Sequence, residues 1–145
     1  MAELTASTVW QREALTRSFD WVNDDIRLIL MDNYYGDPTQ NTNYSRVDHN
    51  EVNGSGYLAG GRSLQNKTIS QIGYAVRYRC DEVSWLEYGG TARYALMVHW
   101  ESEDILQKWV MATIDFGAIV YGNISPIIVR WNSNIALQSS IVVEA

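Results

Sequence analysis

Apolar and polar residues alternate with a period of two through much of this sequence, a pattern that an extended strand satisfies and a helix does not. In QIGYAVRYRC the even positions Ile72, Tyr74, Val76, Tyr78 and Cys80 are apolar or aromatic, while Gln71, Arg77 and Arg79 face the other way. In TARYALMVHW the apolar face is Ala92, Tyr94, Leu96, Val98 and Trp100, with Arg93 and His99 opposite, beside Ala95 and Met97. IRLILMD places Ile26, Leu28 and Leu30 on one face and Ile29 and Met31 on the other, the mark of a largely buried strand. DEVSWLEY, LQKWVMATIDF, SPIIVRWN and NIALQSSIVV extend the series, divided by turn signals at Gly89, Glu101, Gly122 and Asn132. Short strands spaced about ten residues apart predict an all-β fold, namely an antiparallel sandwich, a jelly-roll-like fold or a barrel. Helical crossovers between strands are absent, which argues against a parallel α/β sheet.

Two segments stand outside this pattern. Thr8 to Phe19 sets Val9, Trp10, Ala14 and Leu15 at helical spacing, and Thr8 with Gln11 matches a capping box, so one short helix is expected there. Asn33 to Gly61 is rich in Asn, Asp, Gly, Tyr and Ser and reads as a long loop excursion. The 145 residues fit one domain that buries roughly 70% of its unfolded surface. Within residues 1–145 the expected parts are a helix and arm over 1–22, the excursion over 33–61, and the main antiparallel sheet over 62–143.

Charge and cysteine usage narrow the function. Seventeen acids against eleven bases give a net charge of -6, without the Lys/Arg cluster that neutralises phosphates, so nucleic acid is not an expected partner. No apolar run approaches the roughly 20 residues that span a bilayer, and the start lacks a signal-peptide pattern, so a soluble, unprocessed chain without a membrane partner is expected. Cys80 is the single cysteine, which excludes an intrachain disulfide and a multi-cysteine metal site. Six Trp and nine Tyr suit sheets and association surfaces, where one edge of the ring stays wet.

NEVNGSGYLAGG, Asn50 to Gly61, raises the question of a phosphate loop. Three residues separate Gly56 from Gly60, one more than the dinucleotide fingerprint allows, and no Lys-Ser or Lys-Thr follows Gly61. Turns are the better reading. His49 and His99 are the only histidines, and neither zinc spacings nor a calcium loop occurs, so no metal or cofactor is expected. Cys80 ends an apolar strand face, which predicts a buried, inert thiol, and no G-x-S-x-G elbow is present. The chain is therefore expected not to be an enzyme and to have no catalytic residues.

A resemblance sharpens this. FDWVNDDIRLILMD, the Asn/Asp-rich excursion, NEVNGSGYLAGGRSLQNKTIS, DEVSWLEYGGTARYALMV, ATIDFG and IIVRWNSNIALQ follow one another in the order seen in small structural proteins of tailed bacteriophages. There the order runs D-W-x-N/D-D-x-I-K-V, E-V-x-G-x-G-Y-x-A-G-G, V-x-W, a Y-x-D-F/T-G-like turn and a final I-x-W-D/N strand. The resemblance covers about Phe19 to Leu137 and departs where ESEDILQKW replaces a Gly/Thr-rich loop. It implies a capsid decoration (cement) protein, made in the host cytoplasm and carried on the exterior of the virion capsid. Such a protein binds the major capsid protein as a homotrimer at three-fold and quasi-three-fold sites. Trp10, Arg12, Phe19, Tyr34 and Tyr35 are the expected anchors for a partner, and Arg77, Arg79 and Arg93 the expected partners for acids across a subunit interface. The alternatives are a tail or baseplate component that stacks Trp and Tyr on host glycans, and an enzyme with His49 or His99 and a carboxylate in a deep pocket.

Overall fold

The computed structural model describes residues 2–6, 20–32, 42–73, 75–100, 103–121, 125–131 and 140–144. Eleven strands occur among them: β1 (Ala2–Ala6), β2 (Ile26–Met31), β3 (Thr42–Asn43), β4 (Arg62–Ser63), β5 (Thr68–Ile72), β6 (Ala75–Arg79), β7 (Val83–Tyr88), β8 (Thr91–Trp100), β9 (Lys108–Tyr121), β10 (Ser125–Trp131) and β11 (Ser140–Glu144). Only short 3₁₀ turns accompany them within the described residues, and every strand pairing is antiparallel. The fold is all-β. The expected helix at Thr8 to Phe19 lies outside the described residues.

Nine strands form one sheet in the order β4-β2-β8-β9-β1-β11-β10-β7, with β3 added beside β9, and β5 and β6 form a separate hairpin. The two middle strands carry the longest ladders. β8 pairs with β2 from Ile26↔His99 to Met31↔Tyr94, and with β9 from Thr91↔Tyr121 to Trp100↔Lys108. β1 fills the place between β9 and β11, so the sheet extends well outside residues 62–143 and draws a strand from the stretch read as helix and arm.

Both faces of the middle of the sheet are buried, as the IRLILMD pattern predicts. Ile26, Leu28 and Leu30 enter a large core with Ala95 and Met97 of β8, Met111 and Ile114 of β9, Trp85 and Tyr88 of β7, and Ile127 and Val129 of β10. Ile29 and Met31 point the other way into a smaller core with Leu96, Val98 and Val110, which Tyr44 and Val47 cover. Part of the expected loop excursion is thus a packed layer: its polar composition reflects the outer surface, while Tyr44, Val47, Val52 and Tyr57 are all buried.

Three expectations need correction. QIGYAVRYRC is two strands, because Gly73 (φ 60°) reverses the chain and Ile72 pairs with Ala75. Direct pairing of Ile72 with Ala75 makes the even-numbered positions change face across this two-residue turn, while the sequence alternation runs on unbroken and conceals it. Ala92 belongs to the large core, away from Leu96 and Val98, because the β8–β9 register shifts between Ala92 and Tyr94. Cys80 is half-buried and packs at the margin of the large core instead of lying within it.

The buried tyrosines make stability sensitive to alkali. Burial, reinforced by the negative charge of Glu51, pushes the Tyr57 and Tyr44 phenols well above their ordinary range. Tyr88 is pushed up to about 12 by burial and the Asp32 charge, its hydroxyl donating to the Thr91 carbonyl at 2.7 Å. A phenol whose pKa is raised on folding keeps its proton where the unfolded chain has lost it, so its stabilising effect is complete below about pH 10 and declines above it. Equilibrium unfolding should show stability falling steadily from about pH 10 towards about pH 12, and Tyr88→Phe should flatten the lower part of that slope.

Candidate functional site

The turn that leads into β2 is held by its own carboxylates. Asp20 holds the turn before β2: its Oδ1 accepts from the Val22 and Asn23 amides at 3.0 and 3.1 Å, and its Oδ2 from Asn23 Nδ2 at 2.8 Å. The Asn23 hydrogen bonds hold the Asp20 carboxyl below the usual carboxylate range. Trp21 then packs edge-on against Tyr78, with ring centroids 5.4 Å apart, and its Nε1 donates to the Arg79 carbonyl at 3.3 Å. Asp24 Oδ2 lies 3.0 Å from Nε2 of the buried His99, and Asp25 accepts from Ser63 Oγ at 2.8 Å and Arg27 Nε at 3.0 Å. Lys67 donates to the Asp24 carbonyl, and partial burial lowers its ammonium pKa from the ordinary value despite the nearby Asp25 and Asp24 charges.

The glycine stretch forms the second half of this region. Glu51 Oε2 accepts from Tyr57 Oη and from the Gly60 amide, both at 2.8 Å, and Tyr57 Oη accepts from the Leu30 amide at 3.3 Å. One carboxylate therefore locks the loop onto β2. Gly56 and Gly61 adopt φ of +80° and +66°, and a Cβ at either would collide with backbone, the Glu87 carbonyl at one and the Leu28 carbonyl at the other. Antiparallel bridges Met31↔Glu51 and Ser55↔Gly89 tie the same loop to the β2 end and the β7 end of the sheet.

A cleft of about 470 Å³ opens where those ends approach each other, with Arg62 and Ser63 of β4 on one side and Val83, Ser84 and Trp85 of β7 on the other. β4 and β7 do not pair; instead Arg62 Nη1 spans the seam and donates to the Ser84 carbonyl at 2.8 Å. His99 and Asp24 do not line it, and Ser63, which does, is held by Asp25. Among the described residues no group of three or more His, Cys, Asp or Glu is placed to hold a metal ion.

The expected partner residues divide three ways. Trp10, Arg12, Phe19, Tyr34 and Tyr35 lie outside the described residues. Arg93 is engaged within its own chain, 3.4 Å from Asp115 and over the Tyr94 ring, a geometry that an exposed strand pair readily supplies. Arg79 is exposed, and Arg77 occupies the position opposite Ser70 on the same hairpin. Among the described residues, Trp21 and Trp85 are buried, and Arg27 and Lys108 lie over the Trp100 ring at 4.5 and 3.5 Å.

Sequence reasoning missed the bonds of Glu51 to Tyr57 and Gly60 and the pairing of His99 with Asp24, two separate contacts that only the fold brings together. Comparison with protein-family models, with curated proteins and with solved structures finds no match. Gly61→Ala tests the glycine lock. It should destabilise the protein by more than the roughly 1 kcal/mol of an ordinary loop substitution, because the new Cβ meets the Leu28 backbone; denaturant unfolding at neutral pH measures it.

Proposed function

We propose that the chain is a bacteriophage capsid decoration protein that acts by binding: it docks as a trimer on the outer surface of the head and stabilises the shell. One observation carries the reading. Several residues of the phage pattern have a structural task here: Asp20 holds a turn and Trp21 packs on the hairpin. Glu51 and Tyr57 lock a loop, Gly56 and Gly61 permit close backbone approach, and Val83 and Trp85 fill the core. The pattern thus defines a rigid scaffold, which is what a clamp needs and what its relatives would share irrespective of host.

The finer fold reading is a β-sandwich with a closed seam. Its support is the way β7 and β10 pack across one core against β2, β8 and β9 while the Glu51–Gly61 loop ties the sheet ends together. Stabilisation follows from linkage, because a protein that binds the assembled shell and not its separated subunits favours the shell by mass action. Three linked copies engaging three equivalent sites add avidity to contacts that are individually weak. A tail protein that stacks on glycans would need open aromatic faces, and the engagement of Trp21, Trp85 and Trp100 favours the head reading.

Capsids assembled without this protein should lose integrity at lower temperature and under milder osmotic shock than complete ones, and adding the purified protein should restore them. Equal survival of both particles, or density for the protein only on the tail in cryo-EM of the virion, would refute the reading.

A further inference from the structure

One dipeptide in the Glu51–Gly61 loop has no part in the carboxylate lock. Of the chain's asparagines only Asn53 is followed by glycine. Asn53 is exposed, and among the described residues its side chain makes no hydrogen bond. The Gly54 amide likewise donates to none of the described residues, while the Gly54 carbonyl accepts from the Tyr57 amide at 3.3 Å. A nucleophile and an electrophile therefore sit side by side and unengaged: the Gly54 amide nitrogen and Cγ of Asn53. A side chain on the following residue ordinarily crowds the approach of one to the other, and glycine has none.

The anchors on either side of this dipeptide are tight. Val52 is buried, and its amide donates to the Leu30 carbonyl of β2 at 3.1 Å. Beyond Gly54, the Ser55 carbonyl accepts from the Gly89 amide, just past the end of β7, at 2.8 Å. Gly54 itself is pressed against the same turn. The Gly89 carbonyl oxygen lies 2.5 Å, and the Tyr88 ring 2.8 Å, from where a Cβ on Gly54 would stand. The path from Val52 to Ser55 thus has a length fixed by one contact to each end of the sheet.

We propose that Asn53–Gly54 is a site of spontaneous deamidation, and that its isoaspartyl product undoes the tie between β2 and β7. The Gly54 nitrogen gives up its proton and attacks Cγ of Asn53. The new N–Cγ bond forms as the Cγ–Nδ2 bond breaks, and Nδ2 leaves with the proton as ammonia. Water then opens the five-membered succinimide ring. Cleavage between the Gly54 nitrogen and Cγ restores the main chain with aspartate in place. Cleavage between that nitrogen and the main-chain carbonyl carbon of residue 53 leaves the chain running through Cβ and Cγ, which is isoaspartate. Nothing is oxidised or reduced. The isoaspartyl path is one carbon longer, about 1.5 Å, in a segment pinned at both ends. The inference goes beyond the function proposed above and does not depend on it.

Incubation of the full-length protein at pH values from about 7 to about 9, followed by mass spectrometry of its proteolytic peptides, tests this. The peptide containing Asn53 should gain about 1 Da as its amide becomes a carboxylate, and should do so faster than any other asparagine peptide. The rate should climb roughly tenfold per pH unit, because the attacking amide must first ionise. Returned to neutral pH, the aged protein should contain a fraction that unfolds at lower denaturant than fresh protein. Asn53→Gln closes the larger ring far more slowly, so it should keep both its mass and its midpoint. Freshly prepared Asn53→Asp carries the new charge without the extra carbon and should unfold with the midpoint of the unaged parent. Conversion at Asn53 no faster than at the other asparagines overturns the site. Conversion with an unchanged midpoint, or a fresh Asn53→Asp protein as unstable as the aged one, overturns the release of the tie.

Discussion

The stretch Ala95–His99 of strand β8 leaves almost nothing of itself to water, and the rest of the architecture follows from that. Both of its edges are consumed by ladders, to β2 and to β9, and both of its faces are buried, Ala95 and Met97 in one core and Leu96 and Val98 in the other. A strand buried on four sides needs a layer above and a layer below. The β7–β10 arm of the sheet supplies one, and the turns carrying Tyr44 and Val47 supply the other. The Glu51–Gly61 loop ties the β2 end of the sheet to the β7 end with a single carboxylate and two glycines in left-handed conformations.

The strands whose side chains face two apolar environments or one were the legible part. IRLILM, VSWLEY, TARYALMVHW and SPIIVRW are strands in the structure because their period is local and is dictated by burial. What escaped were features with non-local causes. The hairpin at Gly73 leaves no gap in the alternation, and the displacement of Ala92 depends on a register shift against a strand more than twenty residues away. Residues 44–57 look like loop because their polar neighbours dominate the composition, yet Tyr44, Val47, Val52 and Tyr57 are core. Likewise Asp24 and His99, separated by 75 positions, meet only through the fold.

The turn at Asp20, the Glu51–Gly61 loop and the core aromatics Trp21, Trp85 and Tyr88 are all taken up in making the scaffold. None of the seventeen acids falls between Arg62 and Cys80, where four of the eleven bases lie.

The shared ladders should make β2, β8 and β9 one cooperative unit from which the β5–β6 hairpin is energetically separate. Residue-resolved hydrogen exchange of the free chain at low concentration reads this directly, because amides in a cooperative core open only with global unfolding while a marginal ribbon opens locally. The account predicts the slowest exchange at Leu28, Leu30, Leu96, Met97 and Ala112, and much faster exchange across Thr68–Ile72. Uniform protection of the hairpin at the level of β8 would contradict it.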